Sequence, residues 1–153
     1  MTTEQGLSPS NPIDNSASWV AAHIAAFDDA DGSAWPEQRG APLLLITTKG
    51  AKSGLWRRTA LIYGEDDGRY VIVASKGGHP KPPGWYVNLT ANPEVELQVR
   101  DRKFRAIART ATAEEKPKLW DAMVRIWPDY ANYQEKTDRD IPVVILEPLP
   151  GEA

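Results

Sequence analysis

The chain of 153 residues contains no cysteine. That absence excludes disulfides, thiolate nucleophiles, iron-sulfur clusters and cysteine-ligated zinc, so any redox chemistry has to be carried by a borrowed group. Histidine is scarce as well. His23 falls on an apolar stripe and His79 in a loop rich in glycine and proline, and neither has the carboxylate neighbours from which a metal site is built. No metal is expected. No serine stands in a nucleophile elbow, which removes the usual route to covalent hydrolysis. Long apolar runs are missing too: a run such as residues 43–46 is far too short to span a bilayer. Residues 1–15 are polar and lack the basic start and apolar centre of a secretory signal, which predicts a cytoplasmic protein.

Two nucleotide-binding signatures are likewise absent. Gly50-Ala51-Lys52-Ser53 lacks the glycine beside the lysine and the following helix that a P-loop requires, and no Gly-x-Gly-x-x-Gly occurs to cradle a nicotinamide dinucleotide. The formal net charge of -3 argues against a general nucleic-acid binder. An oligonucleotide-binding barrel would also need aromatic residues interleaved with its basic hairpins, and Trp56 alone does not supply them.

What is present reads as one soluble globular domain, with 41% hydrophobic and 25% charged residues. Residues 1–14 carry no periodic pattern and are expected to form a mobile arm ahead of a domain over residues 15–153. From Ser16, the residues Trp19, Val20, His23, Ile24 and Phe27 share one stripe of an amphipathic helix. That helix lacks the lysines and arginines of a membrane-surface helix, so packing on a core is favoured over membrane contact. Residues 28–41 are rich in turn formers. Strands are expected at 42–48, 59–63 and 69–75, joined by a hairpin turn at 49–54 and a turn at Asp66-Asp67-Gly68, together making a meander. A loop over 76–83 and a short helix over 85–89 follow, and Asn92-Pro93 stops the helix. Alternation then predicts a hairpin of 95–99 with 104–110.

Thr112 and Glu115 have capping-box spacing for a helix whose apolar stripe is Leu119, Trp120, Met123, Val124 and Trp127. Pro117 cannot donate its backbone bond and shifts the helix start by a residue or two. A short helix over 129–136 and a closing strand over 141–147 complete the chain. About six strands with few helices predict a mainly β, closed or nearly closed antiparallel barrel.

Charge is distributed unevenly. Lys49, Lys52, Arg57 and Arg58 lie within ten residues that hold no acid. Lys52 in a tight turn with Arg57 and Arg58 on the return strand can hold a phosphate, and can equally be exposed hairpin cations. Tyr130 and Tyr133 share one face of a helical turn, either as core aromatics or as hydroxyl donors to a substrate that gains negative charge.

Several separated motifs in order, Thr47-Thr48-Lys49-Gly50-Ala51-Lys52-Ser53-Gly54 with Arg57, Ala74-Ser75-Lys76-Gly77-Gly78, Trp85-Tyr86-Val87-Asn88-Leu89, Ala91-Asn92-Pro93, Trp127-Pro128-Asp129-Tyr130, Tyr133, Thr137-Asp138-Arg139 and Ile141-Pro142, resemble the deazaflavin-dependent nitroreductase family of actinobacteria. The resemblance spans roughly residues 40–148. It implies a split β-barrel with flanking helices, like that of proteins binding flavin mononucleotide, and coenzyme F-420 as the cofactor. It implies that Lys52 and Arg57 hold the coenzyme phosphate with help from Arg58, and that the binding set further comprises Ala51, Ser53, Thr59, Ala60, Ile62, Val73, Ala74, Ser75, Lys76, Gly84, Trp85, Tyr86 and Asn88. Tyr130, Tyr133 and Ser75 are the implied catalytic residues. The implied reaction is hydride transfer from the reduced coenzyme to a small hydrophobic acceptor, a quinone, an enone or an activated carbon-carbon double bond, with nitroaromatics as promiscuous substrates. The alternatives are a flavin or deazaflavin carrier without turnover and a reductase using flavin mononucleotide. Members of the family carry a further aromatic near the position of Lys136, which leaves the acceptor open.

Overall fold

The computed structural model describes residues 5–16, 18–29, 37–38 and 40–151. Residues 30–36 and 39 of the turn-rich segment, and the side chain of Trp19 from the predicted stripe, lie outside the described residues. The elements are β1 (Ile13–Asp14), α1 (Ser18–Asp28), β2 (Glu37–Gln38), β3 (Ala41–Lys49), β4 (Trp56–Ile62), β5 (Gly64–Asp66), β6 (Arg69–Val73), α2 (Gly84–Ala91), β7 (Glu94–Val99), β8 (Arg102–Thr110), α3 (Lys116–Ile126), α4 (Asp129–Glu135) and β9 (Val143–Pro148). All six predicted strands and all four predicted helices are present. Short β1, β2 and β5 carry too few residues to leave a period in the sequence.

Strand order is β1-β4-β3-β7-β8-β9-β6-β5, with β2 beside β3. Every pairing is antiparallel except β1 with β4, where Ile13 and Asp14 lie parallel to Arg57 and Arg58. Thus the stretch expected to be a mobile arm supplies an edge strand, and Gly6 anchors it further by accepting from the Trp56 amide at 2.7 Å. The expected three-strand meander is corrected. β3 and β4 form a hairpin, but β6 pairs with β9 through Tyr70–Leu146, Ile72–Val144 and their neighbours. Strands adjacent in sequence are expected to pair, whereas the Asp67-Gly68 turn joins β6 to the short β5 and not to β4. Both turn residues have positive φ, 53° and 79°, as a type I′ hairpin requires. The ladder therefore never closes: β4 and β6 face each other across a split.

Burial explains why some strands alternate and others do not. β7 alternates, with Val95, Leu97 and Val99 inside the barrel and Glu94, Glu96 and Gln98 outward. β3 is apolar on both faces because Leu44 and Ile46 fill the barrel while Leu43 and Leu45 meet Val20, Ile24 and Phe27 of α1. β9 does the same with Val144 and Leu146 inside and Val143 and Ile145 under α3 and α4. α3 begins at Lys116, as Pro117 dictates, and the capping box forms just ahead of it: the Glu115 amide donates to Thr112 Oγ1 at 3.2 Å and the Thr112 amide to Glu115 Oε1 at 2.9 Å.

Candidate active site

The split is lined on one side by β4 and the N-terminal segment, and on the other by the exit of β6, α2 and α4. It encloses about 870 Å³. The backbone ladder leaves this space open, because β1 covers β4 only at Arg57 and Arg58 and β5 covers β6 only up to Val71.

Of the residues singled out from sequence, Arg57, Arg58, Thr59, Ala60, Ile62, Val73, Ser75, Lys76, Gly84, Trp85, Asn88, Tyr130 and Tyr133 all line this cleft. Residues from sequence positions more than 70 apart thus meet in one place. Ala51, Lys52, Ser53, Ala74 and Tyr86 do not line it. Tyr86 turns to β8, where its hydroxyl hydrogen-bonds Thr110 Oγ1 at 2.8 Å, and Ala74 is fully buried, its amide donating to the Pro142 carbonyl. Ala51, Lys52 and Ser53 form the exposed β3-β4 turn at the mouth. That turn closes through Gly50 and Gly54, the latter at φ 70°. Asn88 grips it from α2, accepting from the Ala51 amide at 3.0 Å and donating to Thr48 Oγ1 at 3.2 Å.

The two neighbouring arginines have different surroundings. Arg57 is exposed on the cleft rim, whereas Arg58 is half-buried and makes a two-pronged pair with Asp14 at 2.7 and 2.9 Å, with Asp28 close by at 3.3 Å. The hydrogen bond to Asp14, outweighing burial, lifts the Arg58 guanidinium above its usual range. Its expected help at a coenzyme phosphate therefore competes with two carboxylates of the chain itself. Asn15 extends the latch, donating from its side chain to Thr59 Oγ1 at 3.2 Å.

On the opposite side Tyr130 is buried and packs edge-on to Tyr133, ring centres 6.1 Å apart. Burial, with a smaller contribution from Tyr133, pushes the Tyr130 phenol up, so it stays a neutral O–H group. Tyr133 Oη accepts from Trp127 Nε1 at 3.3 Å, which leaves the Tyr133 proton to donate. Ser75 is buried at the end of β6, where Lys76, Gly77 and Gly78 follow with φ of 45°, 62° and 82°.

Sequence reasoning gave Arg139 no role. Its guanidinium donates to the carbonyls of Ala74, Ser75 and His79, contacts at separations of 60 to 65 residues that no local pattern announces. Asp14 was missed for the same reason.

A sequence-family profile described as F420H(2)-dependent quinone reductase matches residues 19–148. A protein of Mycobacterium tuberculosis strain H37Rv named F420H(2)-dependent quinone reductase is 41% identical over 128 residues, covering 81% of this chain and 86% of that one. Among solved structures, an F420-H2 dependent reductase called FDR-A is 48% identical, with a TM-score of 0.65 over 69% of this chain and 94% of that one. Another, described as a domain-swapped dimer, is 43% identical with a TM-score of 0.67 over 83% and 93%.

Proposed function

Because the chain belongs to the F420H(2)-dependent quinone reductase family, we propose that it binds reduced coenzyme F-420 in the split between β4 and β6 and reduces a quinone held beneath the tyrosines of α4. The observation that carries this reading is the convergence in one cleft of a cation rim, an apolar wall and two phenols drawn from distant parts of the chain.

The donor set suits an anionic coenzyme with a flat ring system. Arg57 on the rim, with Lys52 from the adjoining turn, meets a phosphate. Ala60, Ile62 and Val73 give a ring an apolar bed, and Gly77 and Gly84 have open space where a side chain would stand. When bound, the reduced deazaflavin supplies the hydride, and the protein supplies orientation and a proton. Tyr130 and Tyr133 offer that proton or a hydrogen bond to the acceptor oxygen as charge develops there, with Ser75 on the same side of the cleft. The same hydride donor and apolar cleft extend to enones and, promiscuously, to nitroaromatics.

The test follows oxidation of reduced F-420 by menadione, cyclohexenone and a nitroaromatic, alongside binding titrations with F-420 and flavin mononucleotide. Turnover with menadione that falls in the Tyr130→Phe/Tyr133→Phe double variant is the expected result. Tight binding of flavin mononucleotide without F-420 overturns the cofactor assignment. Binding of F-420 without turnover of any acceptor makes the protein a carrier.

A further inference from the structure

The loop leaving β6 and the helix carrying the tyrosines are separate in sequence, yet they are fastened into one body. Arg139, beyond the end of α4, donates from Nε to the His79 carbonyl at 2.8 Å, from Nη1 to the Ala74 carbonyl at 3.1 Å and from Nη2 to the Ser75 carbonyl at 2.7 Å. The arginine is itself held by α4: Gln134 Nε2 donates to the Arg139 carbonyl at 2.8 Å, and Gln134 Oε1 accepts from the Ile141 amide at 3.0 Å. A second contact lies beside this clamp. A Cβ on Gly78 would stand 2.6 Å from the Tyr133 carbonyl oxygen, so loop and helix backbones touch. Lys76, a residue with a side chain, is kept at φ 45° between these contacts, a conformation that persists only where the surroundings enforce it. The loop presents Ser75 and Lys76 to the cleft, and the helix presents Tyr130 and Tyr133.

We propose that Arg139, which does not line the cleft, is a positioning residue for the reaction proposed above. By locking residues 74–79 to α4, it fixes Ser75 and Lys76 relative to the hydroxyls that meet the acceptor. The planar fork of a guanidinium spans three carbonyls at once, which neither a glutamine nor the point charge of a lysine reproduces. The proposal rests on the quinone-reductase reading, and its test separates the two.

Hydrogen exchange on the full-length protein without coenzyme is compared for wild type, Arg139→Gln and Arg139→Lys, together with F-420 affinity and menadione turnover. In Arg139→Gln, residues 74–79 and 130–136 are expected to exchange faster together while residues 50–54 do not change. The kcat falls by about 10- to 100-fold, the effect of misplacing reacting groups by an ångström or less, while F-420 affinity changes little. Arg139→Lys falls between, and added ethylguanidinium restores part of the turnover of Arg139→Ala. Wild-type exchange and kcat in both the Gln and Lys variants overturn the proposal. So does a joint fall of kcat, affinity and melting temperature that ethylguanidinium does not relieve, since that is the mark of a merely structural arginine. If Arg139→Gln does not fold, Arg139→Lys carries the same comparison. A wild-type protein that turns over no acceptor sinks the reductase reading alone, and the exchange measurement still judges the clamp.

Discussion

The two sides of the cleft are held in different ways. β4 is a seven-residue strand with a full ladder to β3 on one edge and β1 on the other, so its position is over-determined by backbone hydrogen bonds that no single side chain controls. The facing side is a left-handed loop and a seven-residue helix joined by one arginine, one glutamine and a glycine contact. A ladder distributes its cohesion, whereas a clamp concentrates it. Substitutions should therefore be tolerated on the β4 side and felt sharply on the other.

The largest effect is expected at Gly78. Replacement by alanine combines a positive φ with a Cβ 2.6 Å from backbone, and should lower stability by about 3 kcal/mol in urea unfolding. Gly68→Ala is the control: its φ is nearly the same, 79°, but the space is open, and about 1 to 2 kcal/mol is expected. Equal losses at the two glycines would dissolve the contrast between clamp and turn.

Next comes the pair of arginines on the ladder side. Arg57→Ala should weaken F-420 by about 2 kcal/mol in a fluorescence titration, the loss of one charged hydrogen bond, and leave unfolding unchanged. Arg58→Ala should do the reverse, costing about 1 kcal/mol of stability through the Asp14 latch, with little effect on coenzyme affinity. A large loss of affinity in Arg58→Ala would show that the coenzyme draws this guanidinium away from Asp14.

The smallest effect concerns α3, which backs the clamped side. Arg109 at 2.7 Å, aided by the Thr112 amide, holds the Glu115 carboxyl down to about 2 from its ordinary 4.5. A carboxyl depressed in the folded state adds stability above the ordinary value and loses it as pH falls toward 2. The stability difference between wild type and Glu115→Gln should accordingly shrink from pH 5 to pH 2, read from urea midpoints. A difference that does not vary with pH would place Glu115 outside the acid response.

How much of this was legible beforehand follows the same division. Period-two alternation marked β7 and β8, and the Thr112 and Glu115 spacing marked the start of α3, because those signals lie within a few residues. The rim cation Arg57 and the phenols of α4 could be named because they sit in short motifs. What stayed hidden was set by long-range partners. β6 joins β9 across 70 to 76 residues, Arg58 turns to Asp14 across 44, and Arg139 reaches Ala74 across 65. A motif states which residue is present and says nothing of which carboxylate or carbonyl will compete for it.

The unclosed ladder has a thermodynamic signature. A ligand passing between two strands of a closed ladder would have to part hydrogen-bonded pairs and let them re-form on leaving, whereas at the seam β4 and β6 share no pair to part. Coenzyme should then raise the melting temperature with the logarithm of its concentration above Kd, by mass action alone. The slope of the denaturant transition should stay where it was, since the surface uncovered on unfolding is nearly the same with the seam filled or empty.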